Sequence, residues 1–302
     1  MQRIWSKIFK SRNWYNFSRN PLSITGGAIV LIVILAAIFA PFLTPYPDHK
    51  GAALDFANMN RPPDWQYLFG TDGLGRDVFT RVIFGYRVSL LLGVVVLSIA
   101  VPIGVGLGLI AGYFSGKTEI ILMRITDVFL AIPALVLALA IMGFLEPTLM
   151  NAMIAVSAMW WPWTTRLVYN VTRSVKTEDF VVAAKVVGAS HTHIILREIL
   201  PNCLPTILTK MTLDMGFVIL VAASLSFLGL GVQPPTPDLA SMVADGSQYL
   251  PDQWWLSVFP GLAILIVVLG FNLLGDGLRD MLDVEMYHDR HFIKHTGSPL
   301  KV

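Results

Sequence analysis

Charged residues are scarce in this 302-residue chain: Asp, Glu, Lys and Arg make up 14% of it, against about 25% in an average soluble domain. The chain has a single cysteine, Cys203, which excludes an internal disulfide. Its net charge at pH 7 is only +2, which gives no support for a nucleic-acid partner. Hydrophobic residues instead make up 55% of the chain, which indicates an integral membrane protein.

Long apolar runs recur along the chain. A bilayer core of roughly 30 Å needs about 20 apolar residues in a helix. This pattern predicts an all-α membrane protein with six spans, over residues 22–42, 88–113, 125–145, 149–169, 205–230 and 254–274. The first span follows a long basic leader and ends beside Pro41, a poor residue after a cleavage site. We therefore interpret it as a retained anchor and not as a signal peptide.

The basic residues are distributed unequally among the loops. Seventeen of the 22 lie in alternate segments: the leader, the connection after the second span, the segment between the fourth and fifth spans, and the tail. The other five lie between Lys50 and Arg87. Because Lys and Arg are enriched in cytoplasmic loops, this distribution predicts that both termini and residues 178–201 face the cytoplasm.

The order of these segments predicts one membrane domain. It comprises a cytoplasmic N-terminal segment, a first transmembrane helix, an extracytoplasmic loop with an amphipathic helix, a transmembrane core, and a cytoplasmic tail. Their respective ranges are 1–21, 22–42, 43–87, 88–275 and 276–302.

The outer loop is predicted to end in a helix that lies along the membrane surface. Thr71 or Asp72 can cap this helix, and its apolar positions stand beside several charges. Its apolar stripe is Val78, Phe79, Val82 and Ile83, and the charges are Arg76, Asp77, Arg81 and Arg87. In the following span, four glycines at intervals of four residues predict a close helix packing face. They are Gly104, Gly108, Gly112 and Gly116.

Residues 178–201 are a mostly polar segment between two apolar spans, and we predict that they form a helical hairpin. Gly188 stands where a first helix ends, because glycine enters the left-handed conformation without strain. Ser190 can cap a second helix, which Pro201 must interrupt or end. The first helix has apolar residues on one face, at Phe180, Ala184 and Val187. This short apolar helix predicts docking on a protein outside the chain.

Two motifs of other protein classes are rejected. Residues 111–118 fit a loose phosphate-binding loop, but a membrane helix precedes them where such a loop needs a strand. We therefore predict that this chain neither hydrolyses ATP nor binds a cofactor. In the tail, His288, His291 and His295 have the spacing of metal ligands on a helix, but nearby charges favour a solvated terminus. No metal site and no catalytic residues are predicted.

The hairpin resembles a known coupling motif. Binding-protein-dependent ABC importers carry the pattern Glu-Ala-Ala, three residues, Gly, nine residues, Ile-x-Leu-Pro in their membrane subunits. This chain has Ala183-Ala184, Gly188 and Leu200-Pro201 at the matching positions, but it has Val182 for the Glu and Glu198 for the Ile. Residues 70–77, 225–237 and 274–280 are similar to signatures of the dipeptide/oligopeptide/nickel permeases, specifically the second permease of each pair.

This resemblance implies a six-helix type I importer permease in the bacterial inner membrane, surrounded by lipid. The chain would form half of a pathway for di- or oligopeptides together with a homologous permease subunit. Two ATP-binding subunits would bind ATP and Mg, and an extracytoplasmic solute-binding protein would deliver the substrate. Nickel chelates and glutathione stay open as substrates. An ion-driven secondary transporter is the alternative class, which the few central charges and the lack of an evident inverted repeat argue against.

The resemblance also assigns roles to residues. The ATPase-coupling residues would be Glu178, Asp179, Phe180, Ala183, Ala184, Gly188, Ala189, Arg197 and Pro201. The residues that face the binding protein would be Gly70, Thr71, Asp72, Gly75, Arg76 and Asp77.

Candidates for the translocation path are Met211, Asp214, Met215 and Ser224. Asp214 lies about ten residues into an apolar span, where a carboxylate is costly without a partner or a polar interior. Lys210, one turn earlier, can pair with it near the cytoplasmic end of the helix, so a purely structural pair is the alternative.

Overall fold

The computed structural model describes residues 19–295 of the protein, and the side chains of residues 19–281. Residues 1–18 of the predicted N-terminal segment and the side chains of the tail histidines therefore lie outside the described part. Apart from an isolated bridge between Thr71 and Asp77, the regular elements in this range are helical. The helices are α1 (Pro21–Ile38), α2 (Ala40–Leu43), α3 (Val78–Tyr113), α4 (Lys117–Ala131), α5 (Ala134–Met142), α6 (Leu149–Val175), α7 (Asp179–Val186), α8 (His191–His193), α9 (Leu200–Phe227), α10 (Leu239–Ser247) and α11 (Trp255–His295).

Four of these helical segments are long and apolar enough to cross a membrane: Pro21–Ile38, Val78–Tyr113, His191–Phe227 and Trp255–Met281. Helices α4 and α5, which are bent by 86° at the break between them, make a fifth when the pair is counted as one broken span. The remaining predicted span, residues 149–169, falls in α6, which has 27 residues and is about 40 Å long.

Helix α6 is less apolar than those four segments. Part of the polar surface that lowers its apolar character faces inward. Thr164, Thr165 and Thr172 are buried against neighbouring helices. A helix that other helices surround does not need an apolar surface all round. Counted by length and composition alone, the described residues therefore give four or five spans where the sequence predicted six.

The glycine face of α3 packs against α6, as the spacing predicts. A β-carbon at Gly104, Gly108 or Gly112 would lie 2.6 to 2.8 Å from atoms of α6, so only glycine permits this approach. The contacts advance together along both helices, which therefore run parallel. Gly116 is the exception to the prediction. It lies beyond the end of α3, has φ +83° and precedes α4, with no other part of the chain near it.

Antiparallel packing holds the remaining long helices. Gly26 of α1 meets Leu273 and Leu274 of α11, and Gly216 of α9 meets Val268 and Asn272 of α11. In each pair a missing side chain lets two backbones approach closely. Helix α11 therefore lies between the anchor helix α1 and the helix that continues from the hairpin.

The prediction of a separate surface helix before the second span is wrong. Helix α3 runs without a break from Val78 to Tyr113, and its first turns are buried. Asp77 caps it by accepting hydrogen bonds from the Thr80 amide at 2.8 Å and the Thr80 hydroxyl at 2.6 Å. Neither Thr71 nor Asp72 caps it. The helical segment with an apolar stripe beside charges is instead the start of a span, and it packs against the outer loop.

Candidate functional site

The hairpin between α6 and α9 has the predicted local structure. Helix α7 ends at Val186, and Gly188 follows in the left-handed conformation with φ +82°. No neighbouring atoms would crowd a β-carbon at Gly188, so its conformation and not its size explains the glycine. The Ser190 hydroxyl accepts a hydrogen bond from the His193 amide at 3.3 Å and caps the second arm.

Pro201 interrupts the α-helical pattern but does not end the helix. The second arm runs from His191 to Phe227 as one segment of 37 residues. Within it, Ile194–Ile199 form a π-helical turn immediately before the proline. Proline lacks an amide donor and its ring crowds the carbonyl four residues earlier, and the wider π turn accommodates both. The hairpin is therefore continuous with a membrane-spanning helix.

One side of the hairpin is anchored in the core of the chain. Val181, Ile194 and Ile199 have at most 1% of their surface exposed, and Ala184 and Ala189 are half-buried against the same core. The other predicted coupling residues are exposed: Glu178, Asp179, Phe180, Ala183, Gly188, Arg197 and Pro201. The structure thus brings all nine predicted residues into one hairpin, two of them as anchors.

The exposed side of the hairpin is largely apolar. We call the hairpin surface the set Phe180, Val182, Val186, Val187 and Leu196. Val186 and Val187 at the tip are 81% and 83% exposed. The sequence motif missed Val182, Val186 and Leu196, although the consecutive valines before a helix-ending glycine were a visible signal. Exposed apolar side chains of this kind are typical of surfaces that contact another protein.

The outer loop is built by the residues that were predicted to face a partner. Gly70, Thr71, Gly75 and Asp77 are buried. The Thr71 hydroxyl donates to the Asn58 carbonyl at 2.5 Å, and the Trp255 indole donates to the Thr71 carbonyl at 3.2 Å. Burial raises the pKa of Asp77, while hydrogen bonds from Thr80 oppose that rise. These residues hold the loop to α11 and cap α3.

Asp72 and Arg76 are half-buried and fix the tip of the same loop. Arg76 Nε donates to the Asp72 carboxylate at 2.8 Å, and the buried guanidinium of Arg81 lies 3.6 Å from it. The side chains that the loop exposes are different ones: Leu54, Phe56, Met59, Trp65 and Leu68. We call this set the outer-loop surface.

The translocation-path candidates separate into three environments. Met211 and Met215 line a groove of about 870 Å³ between α1, α3, α9 and α11. Ser224 lines a second groove, of about 400 Å³, between α9, α10 and α11. Asp214 lines neither of them: it is 1% exposed and pairs with Lys210 on the same helix. The larger groove is apolar apart from Ser98 and Thr212, so it offers no charged group to a ligand.

Among the residues whose side chains are described, no group of three His, Cys, Asp or Glu side chains could hold a metal ion. The candidate features in this part of the chain are surfaces and grooves: the hairpin surface, the outer-loop surface and the two grooves between helices.

Two parts of the chain match known protein families. Residues 104–286 match the family described as the binding-protein-dependent transport system inner membrane component. Residues 3–63 match the N-terminal TM domain of oligopeptide transport permease C.

Curated relatives are similar over nearly their whole length. The probable D,D-dipeptide transport system permease protein DdpC of Escherichia coli is 44% identical over 87% of this chain and 88% of its own. The dipeptide transport system permease protein DppC of Alkalihalophilus pseudofirmus is 42% identical over 93% and 90%. The glutathione transport system permease protein GsiD of Escherichia coli is 42% identical over 89% and 88%.

Solved structures share the fold of the core. A chain of the MetNI methionine ABC transporter in an inward-facing conformation superimposes with a TM-score of 0.51 at 19% identity, over 67% of this chain and 93% of that one. An amino acid ABC transporter crystallised with histidines gives 0.52 at 17%, over 67% and 94%. The predicted fold class, an ABC importer permease, is thereby confirmed, as is the resemblance that the motifs carried. The chain belongs to the family of inner-membrane permease components of binding-protein-dependent ABC importers.

Proposed function

We propose that this chain forms one half of the translocation path of an ATP-driven importer for short peptides, with a homologous permease as the other half. The names of its relatives refer to D,D-dipeptides, dipeptides and glutathione, which are all short peptides. The dipeptide and glutathione relatives are equally similar, at 42% identity. Overall similarity therefore favours the class that they share and does not single out one peptide.

In this proposal the chain hydrolyses no ATP, and two separate ATP-binding subunits bind ATP and Mg. One of them docks on the hairpin surface from the cytoplasm, the side that the basic residues favour. The observation that carries this role is the continuity of the second arm of the hairpin with α9: the arm against which α7 and its exposed apolar side chains are held is the start of a helical segment long and apolar enough to cross a membrane. A displacement of the hairpin by the ATPase therefore moves a membrane helix directly.

Helix α9 can pass this displacement to the rest of the bundle. Met215 packs on Gly93 of α3, and Gly216 packs on Asn272 of α11. Closely packed helices move as rigid bodies and do not deform continuously. ATP binding shifts the permease between its states through the different contacts that the ATPase makes with the hairpin in each state.

Uptake by the assembled complex in liposomes tests this function. We expect accumulation of di- and tripeptides to require both ATP and the solute-binding protein, and to be insensitive to a protonophore. An ion-driven transporter would show the reverse dependence. Uptake by the purified chain alone, driven by a proton gradient, would refute the proposal. Accumulation of a nickel chelate but no peptide would leave the ATP-driven mechanism in place and overturn the substrate class.

The outer-loop surface is the proposed contact for the solute-binding protein. Trp65 is 99% exposed, yet the turn that presents it is fixed: the Asp64 carboxylate accepts the amides of Gln66 at 2.8 Å and Tyr67 at 2.7 Å. The Arg61 guanidinium pairs with Asp64 at 2.9 Å. Because the backbone that presents Trp65 is already ordered, a partner that covers it has to order only the side chain, and exposed tryptophans often dominate binding energy.

Trp65→Ala is expected to weaken the response of the complex to the binding protein. A central aromatic contact contributes about 2 kcal/mol, so the binding-protein concentration for half-maximal uptake should rise roughly 30-fold. Uptake at saturating binding protein should stay near wild type. Trp65→Phe, which keeps an aromatic ring, is the matched control. An unchanged concentration dependence in Trp65→Ala, with altered association of the complex with lipid, would assign this tryptophan to the membrane surface instead.

A further inference from the structure

We infer that Tyr113 is a positioning residue for coupling: it fixes the orientation of the hairpin relative to α3. Tyr113 is the last residue of α3, and its side chain is buried. Three points of the chain around the hairpin meet at this one residue, namely Lys176 before it, Lys185 within it and His191 at the start of its second arm. We call these four residues the Tyr113 junction.

The contact with His191 is the most direct. The Tyr113 hydroxyl lies 2.7 Å from Nδ1 of the His191 ring, which is hydrogen-bond distance. The two rings meet edge to face with 5.5 Å between their centroids, and Phe114 packs on the same histidine. His191 begins the helical segment that continues to Phe227. This hydrogen bond therefore joins the end of one membrane helix to the start of another.

Two lysines complete the junction. The Lys185 ammonium of α7 lies over the Tyr113 ring, 5.7 Å from its centroid. Lys176, at the end of α6, donates to the carbonyls of Tyr113 at 2.9 Å and Gly112 at 3.3 Å. These carbonyls have no partner within α3, and a cation at this end of a helix also interacts favourably with the helix dipole. The ends of α3, α6 and α7 and the start of α8 thus converge on one residue, Tyr113: α7 and α8 contact its side chain and Lys176 its backbone carbonyl.

This convergence matters because α7 has only eight residues and is joined at both ends by turns. Its apolar anchors, Val181 and the half-buried Ala184, lie within one turn of each other on one side, so the direction in which its exposed side points is set by contacts elsewhere as well. The Tyr113 hydroxyl and ring set that direction against α3. A force on the hairpin surface therefore reaches α3 through Tyr113 as well as α9 through the continuous helix. Without the junction, part of the ATPase displacement is lost as rotation of the hairpin.

Because the hairpin transmits force only if an ATPase docks on it, this role of Tyr113 rests on the proposed function. The test is Tyr113→Phe in the complete complex in liposomes, with two measurements: the amount of ATPase that co-purifies, and the number of peptides imported per ATP hydrolysed. The variant keeps the ring and the backbone carbonyl and loses only the hydroxyl. We expect unchanged co-purification and about fivefold fewer peptides per ATP, the size that one net hydrogen bond supports.

Two further variants separate positioning from a general structural role. His191→Ala should lower the ratio at least as much, because it removes the same hydrogen bond together with the ring contacts to Tyr113 and Phe114, and the double variant should be no worse than His191→Ala alone. His191 is exposed, so this variant stays informative if Tyr113→Phe fails to assemble. Tyr86→Phe is the matched control, because Tyr86 is buried in the same helix and makes no hydrogen bond among the described residues.

The outcomes distinguish failure of the proposed function from failure of the role inferred for Tyr113. If wild-type permease binds no ATPase, the proposed function fails. If the ATPase binds and the number of peptides per ATP is unchanged in both Tyr113→Phe and His191→Ala, the role of Tyr113 is overturned while docking on the hairpin stands. An equal fall in Tyr86→Phe would also overturn it, because the effect would then not depend on the junction.

Discussion

Val187→Asp is expected to abolish peptide uptake while the chain stays folded and inserted in the membrane. Val187 is 83% exposed, so a carboxylate at this position meets water in the isolated chain and disturbs no internal packing. In the assembled complex the same carboxylate would be buried against the ATPase without a partner. An unpaired charge in a desolvated contact costs about 3 to 5 kcal/mol, enough to prevent docking.

The position was chosen so that loss of docking can be separated from loss of folding. At Ala184 a charge would enter the half-buried side of α7, and at Gly188 any side chain would strain a residue with φ +82°. Val187→Thr is the control, because it has nearly the shape of valine and carries no charge. The measurements are co-purification of the ATPase and ATP-dependent uptake. Wild-type uptake by Val187→Asp would remove the hairpin surface from the coupling mechanism.

The parts of the hairpin that were predicted correctly depend on local chemistry. Gly188 and Ser190 act within a few residues of themselves, through a left-handed backbone and a side-chain cap. Such signals can be read in one stretch of sequence. The continuity past Pro201 could not, because it depends on a π-helical turn that forms before the proline, and no residue type specifies such a turn.

In the outer loop, the burial of the motif residues could not be predicted from the sequence. The residues of its glycine-rich motif were predicted to face the binding protein, whereas Thr71 is buried beneath Trp255, which follows 184 residues later in the chain. A contact over that distance leaves no periodic signal in the sequence. Because these residues are buried, we propose that the solute-binding protein contacts their exposed neighbours, such as Trp65.

A long-range contact also explains the polar residues of α6 and the glycine spacing of α3. Polar threonines in α6 reduce its apolar character because they pack on the glycines of α3, so the two sequence patterns are two sides of one contact. The glycine spacing was readable because it is helical. The point at which the helix ends could not be predicted from this spacing: α3 stops at Tyr113, and Gly116 lies in the turn beyond it.

Gly108→Val is expected to cause a large loss of stability in the membrane domain. A β-carbon at this position would lie 2.8 Å from the Thr165 carbonyl oxygen and 3.0 Å from the Tyr169 amide nitrogen. Both are backbone atoms of α6, so no rotamer change can make room, and the two helices must separate. Forcing extra carbons into a packed contact costs about 1 to 3 kcal/mol and sometimes more. Between membrane helices, close packing itself drives association, so separation has little to offset it.

The matched control is Gly106→Val, two residues earlier in the same helix. No neighbouring atoms would contact a β-carbon there, so the intrinsic preferences of valine in a helix are tested without the clash. We expect the melting temperature of the purified permease in detergent, followed by the monodisperse fraction after heating, to fall by several degrees in Gly108→Val and to change little in Gly106→Val. Equal melting temperatures for the two variants would contradict the close packing of α3 on α6. Because α6 leads into the hairpin and α3 ends at Tyr113, a separation of these two helices also displaces the junction that orients the hairpin, so uptake should fall further than the amount of folded protein.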